Sequence, residues 1–455
     1  MSDRIVWQYK PSGFQWLGSL PSHWRTMRIK HTTYVKGRIG WQGLRSDEFI
    51  DVGPILVTGT DFREGKVDWE TCYHISEERY REDPNIQLQE GDLLITKDGT
   101  IGKIALVKRM PQPASVNSGI LVTRPRAGNY DNMFMYWLLA SPVFQNFIDV
   151  QKSGTTILHL YQNVFVEFAY PVPPLEEQCA IADFLDRKIE RLDQLITRKK
   201  RFRELIDQSR RAVVSAAVTR GLIDVPLKPS GIEWFGAVPR HWSLNRLGRL
   251  CEEINDINHE MPEAVADGVP LLSAKDLKDD GSLNFTDDVK LISRDAFARL
   301  GKKIVPRRDD IVYSRYGACL GKARLVEVDR EFLVSYSCVI IRLDKRVADP
   351  KFFMHLLDSD LVLIDAGLRT QGIAVPDLGN KMIAKFQVPV PPIEEQREIA
   401  KWLDKEVSGL RRAADSIQSG IERLQEFRAA LISAAVTGKI DVRNRRPQEA
   451  TAVCQ

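Results

Sequence analysis

The sequence predicts an α+β protein that is a tandem duplication of two mixed α/β modules, each followed by one long helix. Two observations carry this prediction. Similar segments recur 218 residues apart in the same order, and a long amphipathic stretch with helical spacing follows each module. With 43% hydrophobic and 28% charged residues among 455, the chain has the composition of an ordinary globular protein.

Matching pairs of segments define the duplication. Residues 11–29 (PSGFQWLGSLPSHWRTMRI) and 229–247 (PSGIEWFGAVPRHWSLNRL) are identical at 9 of 19 positions. A second pair joins PVPPLEEQCAIADFLD (171–186) to PVPPIEEQREIAKWLD (389–404). The shared order of these segments indicates one scaffold that is used twice.

The two copies differ most in their middles and match again at their ends. Residues 30–90 and 248–308 share only weak landmarks, which suggests two versions of one task. The tripeptide IDV leads into the second copy at 223–225 and recurs at 440–442. We therefore expect the two ends of the chain to lie close together, in a pseudo-two-fold arrangement.

Short β-like runs bounded by turn residues make up much of each module. They are ILVTG, DLLIT, KIALV and GILVT in the first copy and PLLSA, DIVYS, ARLVE and SCVIIRL in the second. Helices are predicted at 132–148 and 349–367. This mixture is typical of an α/β or α+β module with long loops.

The long helices have clear start signals. Proline pairs precede both, where the missing N–H would be unpaired anyway, and two glutamates fall in each first turn, near the positive end of the helix dipole. The residues are Pro173, Pro174, Glu176 and Glu177 in the first copy and Pro391, Pro392, Glu394 and Glu395 in the second. Helices over 175–217 and 393–435 would each span about 64 Å.

Apolar residues in both helices alternate at spacings of four and three, which predicts a coiled-coil seam. The seam residues are Leu185, Ile189, Leu192, Ile196, Phe202 and Ile206 in the first helix and Leu403, Val407, Leu410, Ile417, Ile421 and Leu424 in the second. The obvious partner of each helix is the other copy. The alternative is that each helix packs only on its own module.

No motif for catalysis or metal binding is found. The loops GTIGK and GACLGK are too short for a phosphate-binding loop of the Walker type, and the six scattered cysteines are expected to be reduced, mostly buried thiols without a metal. His23 and His241 are interpreted as structural, and Trp16, Trp24, Trp234 and Trp242 as core residues. Without a membrane-spanning run or a signal-peptide pattern, the chain is expected in the cytoplasm and not at a membrane.

Glycine-bounded loops with basic and hydroxyl side chains lie at matching places in both copies. Such side chains bond phosphates and base edges, although a solvated loop has the same composition. The candidate DNA-binding residues are Lys97, Thr100, Lys103, Lys152, Thr155 and Thr156 in the first copy and Arg315, Tyr316, Lys322, Arg369, Thr370 and Gln371 in the second.

The repeated segments resemble the specificity subunits of type I restriction–modification enzymes. PSGFQWLGSLPSHW and PSGIEWFGAVPRHW at the module starts carry the resemblance, together with PVPPLEEQCAIADFLD and PVPPIEEQREIAKWLD at the helix starts. It implies two target-recognition domains, 1–174 and 222–392, that each read half of an asymmetric bipartite double-stranded DNA site. It also implies spacer helices, 175–221 and 393–440, that pair as an antiparallel coiled coil, followed by a tail at 441–455.

The resemblance further implies that the helices set the half-site spacing and dock two modification (methyltransferase) subunits. The chain itself would bind no cofactor and perform no catalysis. S-adenosylmethionine would bind the modification subunits, and ATP and Mg²⁺ the restriction/translocase subunits.

Three other functions stay open at this point. The chain could be a coiled-coil scaffold whose modules bind protein. It could be an orphan or anti-restriction relative that binds modification subunits without reading DNA. It could also be an enzyme with an unrecognised site.

Overall fold

The computed structural model describes residues 8–38, 44, 46–152, 159–286, 288–370 and 378–442. The chain divides into two compact units. The first consists of residues 1–198 with 420–455, and the second of residues 199–419. Each unit therefore contains one mixed module and part of both long helices.

The first module is a mixed sheet structure with short helices. Its six-stranded sheet has the order Thr33–Gly37, Ile120–Pro125, Leu93–Thr96, Ile104–Leu106, Lys66–Val67 and Phe62–Arg63. A three-stranded sheet has the order Ala114–Val116, Ile50–Val57 and Tyr73–His74. Two-stranded pairs join Tyr9–Pro11 to Ser19–Pro21 and Arg25–Arg28 to Ala169–Val172. The helices are Ile29–Thr32, Glu77–Arg81, Asn132–Leu139, Pro142–Lys152 and Gln162–Phe165.

The second module has the same plan with a shorter main sheet. Its order is Cys251–Asn255, Cys338–Leu343, Ile311–Ser314 and Ala323–Leu325, which corresponds to the first four strands of the six-stranded sheet. A three-stranded sheet has the order Leu291–Ile292, Val269–Leu272 and Leu333–Val334. Two-stranded pairs join Leu227–Pro229 to Ala237–Pro239 and Ser243–Arg246 to Gln387–Val390. The helices are Arg294–Leu300, Pro350–Leu357, Asp360–Arg369 and Asn380–Ile383.

The innermost strands of both main sheets were predicted from the sequence, although the predicted run ARLVE forms the edge strand Ala323–Leu325. Every residue of Leu93–Thr96 and of Ile311–Ser314 is buried, as expected for strands covered on both faces. The helical stretches predicted at 132–148 and 349–367 are helical, and each consists of two helices. Ser141 and Ser359 mark the breaks, where each hydroxyl donates at 2.6 Å to the carbonyl three residues earlier.

The two long helices are the longest elements of the chain. They cover Leu175–Arg220, with 46 residues, and Ile393–Val436, with 44. Both begin directly after the proline pair and carry two glutamates in the first turn, as predicted. We call them the first and second long helix.

In the first unit the two helices pair in opposite directions. Asp193 Oδ1 accepts a hydrogen bond of 2.8 Å from Arg428 Nε, while Leu185, eight residues earlier, shares a hydrophobic core with Ile432 and Ala435. Tyr9 Oη donates to Gly438 O at 3.0 Å, so the first described strand reaches the end of the second long helix. This contact joins residues near the two ends of the chain, as expected, while residues 1–7 and 443–455 lie outside the described residues.

In the second unit the pairing is also antiparallel. Arg203 Nη1 donates to Gln418 Oε1 at 3.0 Å, and Val214 shares a core with Leu403. Gly221, just past the end of the first long helix, lies where an added Cβ would be 3.2 Å from Glu395 Oε1, at the start of the second. Each long helix also packs on a module, but the helix–helix contacts exclude the alternative that it packs only there.

The predicted seam needs one correction, at Phe202. Most seam residues are buried or half-buried, namely Leu185, Ile189, Leu192, Ile196, Ile206, Leu403, Val407, Leu410, Ile417, Ile421 and Leu424. Phe202, in contrast, is 57% exposed. The spacing of three and four continues from Ile196 through Lys199 and Arg203 to Ile206, so long basic side chains take two seam positions and Phe202 points away from them.

The repeated helix-start motif anchors each module to its helix. Glu177 accepts hydrogen bonds from Trp24 Nε1 at 2.9 Å and from His23 Nε2 at 3.0 Å. In the second copy Glu395 accepts from Trp242 Nε1 at 3.0 Å and from His241 Nε2 at 2.8 Å. The histidines are thus structural, as predicted.

Two further residues of the motif make matching contacts. The buried amides of Gln178 and Gln396 accept from the backbone N–H of Asp131 (2.9 Å) and Asp349 (2.7 Å), the N-caps of Asn132–Leu139 and Pro350–Leu357. Asp186 Oδ1 accepts from Trp137 Nε1 at 2.6 Å, and Asp404 Oδ1 from His355 Nε2 at 2.9 Å. The helix-start motif occurs in both copies and attaches each module to its long helix in the same way.

Candidate functional site

The glycine loops predicted to bind DNA close with the same kind of backbone hydrogen bond in both modules, although the second loop is one residue longer. In the first, Gly102 N donates to Thr96 O at 2.9 Å; in the second, Gly321 N donates to Ser314 O at 2.9 Å. Both glycines have positive φ, and an added Cβ would lie 2.9 Å from Ile148 Cδ1 or 2.6 Å from Leu363 Cδ1. Only glycine fits these turns.

In each module the glycine loop is bonded to a leucine that follows the second group of predicted residues in the chain. Leu160 N donates to Lys97 O at 2.8 Å, and Leu378 N donates to Arg315 O at 3.1 Å. The structure therefore places Leu160 and Leu378 beside the glycine loops of their own modules.

In the first module the predicted residues are mostly accessible. Thr100 and Lys103 are exposed and Lys97 is half-buried. Lys152 is the last residue of the helix Pro142–Lys152. Thr155 and Thr156 lie outside the described residues.

In the second module Arg315 is the exception, because its side chain is only 5% exposed. Its Nη2 donates to Asp256 Oδ2 and to His259 Nε2, both at 2.8 Å, and its Nε donates to Tyr336 O at 2.9 Å. The Arg315 guanidinium therefore holds the side chains of Asp256 and His259 in place.

The remaining predicted residues of the second module differ in their surroundings. Tyr316 is exposed, whereas Lys322 Nζ is paired with Asp279 at 2.7 Å. Arg369 is paired with Asp365, and the Thr370 hydroxyl donates to Gly367 O at 2.8 Å. Gln371 lies outside the described residues. Direct DNA contact by any of these residues stays a prediction.

Sequence reasoning missed the side chains around the glycine loops. In the second module these are Asp256, His259, Tyr336 and Asn380, of which Asn380 Nδ2 donates to Asp256 Oδ1 at 3.0 Å. In the first module they are Asp98 and His159, joined by a hydrogen bond of 2.6 Å. The one available signal was that Asp98 and Tyr316 are unlike residues at the same place in otherwise similar loops.

A repeated buried ion pair supports the strands that carry these loops. Asp92 is paired with Arg124 through two bonds of 2.6 and 2.8 Å, and Asp310 with Arg342 through two of 2.9 and 2.7 Å. Hydrogen bonding to Asp310 raises the pKa of Arg342, so this guanidinium stays charged. Removing one partner of such a pair leaves a buried charge unpaired.

The described cysteines are free thiols. Cys338 is buried, Cys179 is exposed and the others are half-buried, so fewer are fully buried than predicted. Burial raises the pKa of Cys251 and of Cys338 to about 12, which keeps both thiols protonated.

Within the described ranges, no group of three or more His, Cys, Asp or Glu side chains could hold a metal ion. Across the same residues, no helix is both long and apolar enough to span a bilayer.

Comparison with known proteins gives consistent matches. Residues 39–201 and 254–412 both match the family described as type I restriction modification DNA specificity domain. The type I restriction enzyme EcoBI specificity subunit of Escherichia coli is 23% identical over 357 residues, which cover 77% of this chain and 73% of that protein. The MjaVIII specificity subunit of Methanocaldococcus jannaschii is 21% identical over 448 residues, which cover 97% and 99%.

A solved structure shares the fold. It comes from work on complex assembly and conformational transition of the type I R-M system, and it superposes with a TM-score of 0.70 at 17% identity. The superposition covers 92% of this chain and 99% of the solved one.

Proposed function

Because the chain belongs to the type I restriction modification DNA specificity domain family, with one match in each copy, we propose that it is the DNA sequence-recognition subunit of a type I restriction–modification complex. One structural observation supports this most directly. The two modules are fastened to the helices by three contacts at matching positions, yet they carry unlike side chains beside their glycine loops. Modules that are attached in the same way but differ in the side chains beside their glycine loops are suited to reading two different half-sites.

In this proposal each module reads one half of an asymmetric bipartite site in double-stranded DNA. Base-edge contacts would supply the sequence preference, and basic side chains such as Lys103 would contact phosphates. The net charge of +4 gives little general affinity for DNA, so binding should depend on the assembled complex.

The long helices would set the separation of the half-sites and dock two methyltransferase subunits. Both helices are continuous across the boundary between the two compact units. They also expose large apolar side chains, which suits a protein interface; these are Leu195, Phe202, Leu205, Trp402 and Phe427.

The chain is a non-catalytic specificity subunit in a larger assembly. S-adenosylmethionine would bind the methyltransferase subunits, and ATP and Mg²⁺ the restriction/translocase subunits. Such a complex would act on DNA in the cytoplasm.

The test is to map N6-methyladenine in cells that express the methyltransferase subunit with and without this chain. We expect one bipartite methylated motif that disappears when the chain is absent. A chain that binds the methyltransferase but leaves the methylation pattern unchanged would be an orphan or anti-restriction relative. A chain that retains no methyltransferase and shows no sequence preference for DNA would be a scaffold.

A further inference from the structure

The residue after Lys97 and the residue after Arg315 occupy equivalent places in the two modules. Lys97 N donates to Gly119 O at 2.8 Å, and Arg315 N donates to Ser337 O at 3.1 Å. Leu160 and Leu378 complete the match by donating to the carbonyls of Lys97 and Arg315. Asp98 and Tyr316 therefore start from the same backbone frame and differ in chemistry.

In the second module a buried network holds an aromatic cluster around Tyr316. The Tyr316 ring meets the Tyr336 ring edge-on with centroids 6.4 Å apart, and the His259 ring stacks on Tyr336 at 5.0 Å. The side chain of His259 is 63% exposed, although Arg315 and Asp256 beneath it are only 5% and 10% exposed. The accessible side chain of His259 is thus held in place by the buried pair of Arg315 and Asp256, with the accessible Tyr316 in the same aromatic cluster.

Arg315 also fixes which nitrogen of His259 carries a proton. An arginine can only donate, so His259 Nε2, 2.8 Å from Arg315 Nη2, must accept. The ring proton of His259 is then on Nδ1. Together with the Tyr316 hydroxyl, this gives the cluster two hydrogen-bond donors on accessible side chains.

In the first module the equivalent place offers acceptors. His159 Nδ1 donates to Asp98 Oδ1 at 2.6 Å, and the two side chains are 48% and 36% exposed. The Asp98 carboxylate keeps acceptor capacity on Oδ2, and a neutral His159 would accept at Nε2. The exposed Tyr161 ring lies 5.9 Å from the His159 ring.

We propose that these side chains contact the bases: His259 and Tyr316 in the half-site of the second module, and Asp98 and His159 in that of the first. The inference rests on the proposed function and names the specificity residues of the same sites. In the major groove, donors match the acceptors of guanine, adenine N7 or thymine O4. Acceptors match the amino groups of cytosine or adenine. Arg315 is a positioning residue that acts through His259.

The test uses the complete complex with its methyltransferase subunits in cells, and it maps N6-methyladenine for each variant. We expect His259→Ala to relax base identity at one or two positions of one half-site, while the other half-site and the spacing stay unchanged. Asp98→Asn should relax only the opposite half-site. Discrimination at the affected position should fall about 5- to 150-fold, the factor that corresponds to about 1–3 kcal/mol for one base contact.

Two variants serve as matched controls. Arg308→Ala removes an exposed ion pair with Asp329 in the second module, and Arg81→Ala removes one with Glu77 in the first. Both should leave the motif unchanged. His259→Gln, which keeps an N–H donor, should preserve more discrimination than His259→Ala.

The outcomes separate the two proposals. A wild-type complex without any bipartite motif would contradict the proposed function itself. A bipartite wild-type motif that His259→Ala and Asp98→Asn leave unaltered would overturn this inference alone. Equal loss of methylation at every site, with base identities unchanged, would also overturn it, because that pattern indicates phosphate contact instead of base contact.

Discussion

Trp24 and Glu177 are 153 residues apart in the chain, and the indole N–H of Trp24 donates to the Glu177 carboxylate at 2.9 Å. Trp242 and Glu395 repeat this bond at the same separation and at 3.0 Å. In each unit it joins the start of the module to the start of a long helix. The segment following the proline pair therefore attaches the module to the helix, because its second glutamate accepts the indole N–H bond.

Replacing Glu177 by alanine should destabilise the first unit. The change removes the acceptor of the partly buried Trp24 N–H, which costs about 1–3 kcal/mol. Thermal unfolding of the full chain should show the loss. The matched control is Glu176→Ala, which removes the exposed neighbouring carboxylate in the same helix turn and should change stability by under about 0.5 kcal/mol. Equal effects of both variants would show that the helix dipole, and not the indole bond, is what Glu177 serves.

Acid should weaken the second unit through Asp404. Burial alone would raise the pKa of Asp404, but hydrogen bonds from His355 and Lys351 outweigh it and hold the pKa below the ordinary 3.8. A lowered folded-state pKa means that this contribution is present above pH 3.8 and is lost as the pH falls through the folded value. Asp404→Asn should be less stable than wild type at neutral pH and should lack this part of the acid dependence.

Denaturant midpoints measured from pH 7 to pH 2 provide the check. Glu398→Gln, which removes an exposed carboxylate of the same helix, should retain the wild-type profile. An Asp404→Asn profile parallel to wild type throughout would refute the assignment.

Ile206 and Phe202 test which residues form the seam in the second unit. Ile206→Ala should cost about 2–4 kcal/mol, because the side chain is 9% exposed and its removal leaves a cavity. Phe202→Ala should cost less than about 0.5 kcal/mol, because that ring is 57% exposed. Denaturant unfolding of the isolated chain measures both, and a larger cost for Phe202 would restore the seam predicted from the sequence.

Lengthening both long helices by one heptad should change the half-site spacing and leave the half-site sequences alone. Seven residues add about 10 Å of helix, the length of about three base pairs. The insertions belong after Arg198 and after Ser419, where the two compact units meet along the chain. Methylation mapping reads the spacing directly; an unchanged spacing in an active variant would exclude the helices as its determinant.

Much of the fold could be predicted because repeats and apolar periodicity are local signals. The starts of the long helices at Leu175 and Ile393 follow from the proline pairs, and the central strands follow from their apolar runs. The seam error at Phe202 has a physical cause. Periodicity counts apolar residues, but the helix pair accommodates the long side chain of Arg203, which bonds to Gln418.

The candidate site was harder to predict because its residues meet through long-range contacts. Arg315 has the side chain of a DNA-binding residue, yet its partner Asp256 lies 59 residues earlier in the chain. No local sequence spacing predicts that Arg315 and Asp256 pair. His259 gained its importance only when the structure placed it on Arg315 and Tyr336.

The contact between Tyr9 and Gly438 has a consequence for biosynthesis, because 429 residues separate its partners. The second unit is one continuous segment, 199–419, so all of its residues are synthesised before the first unit is complete. The first unit needs residues after 419 to complete its core, including Ile432. At about 5–20 residues per second, the apolar face around Leu185 and Ile189 waits roughly 10 to 50 s for its partner. The unit whose synthesis begins first is therefore the last to be completed, and we expect chaperones to protect its exposed apolar face during that interval.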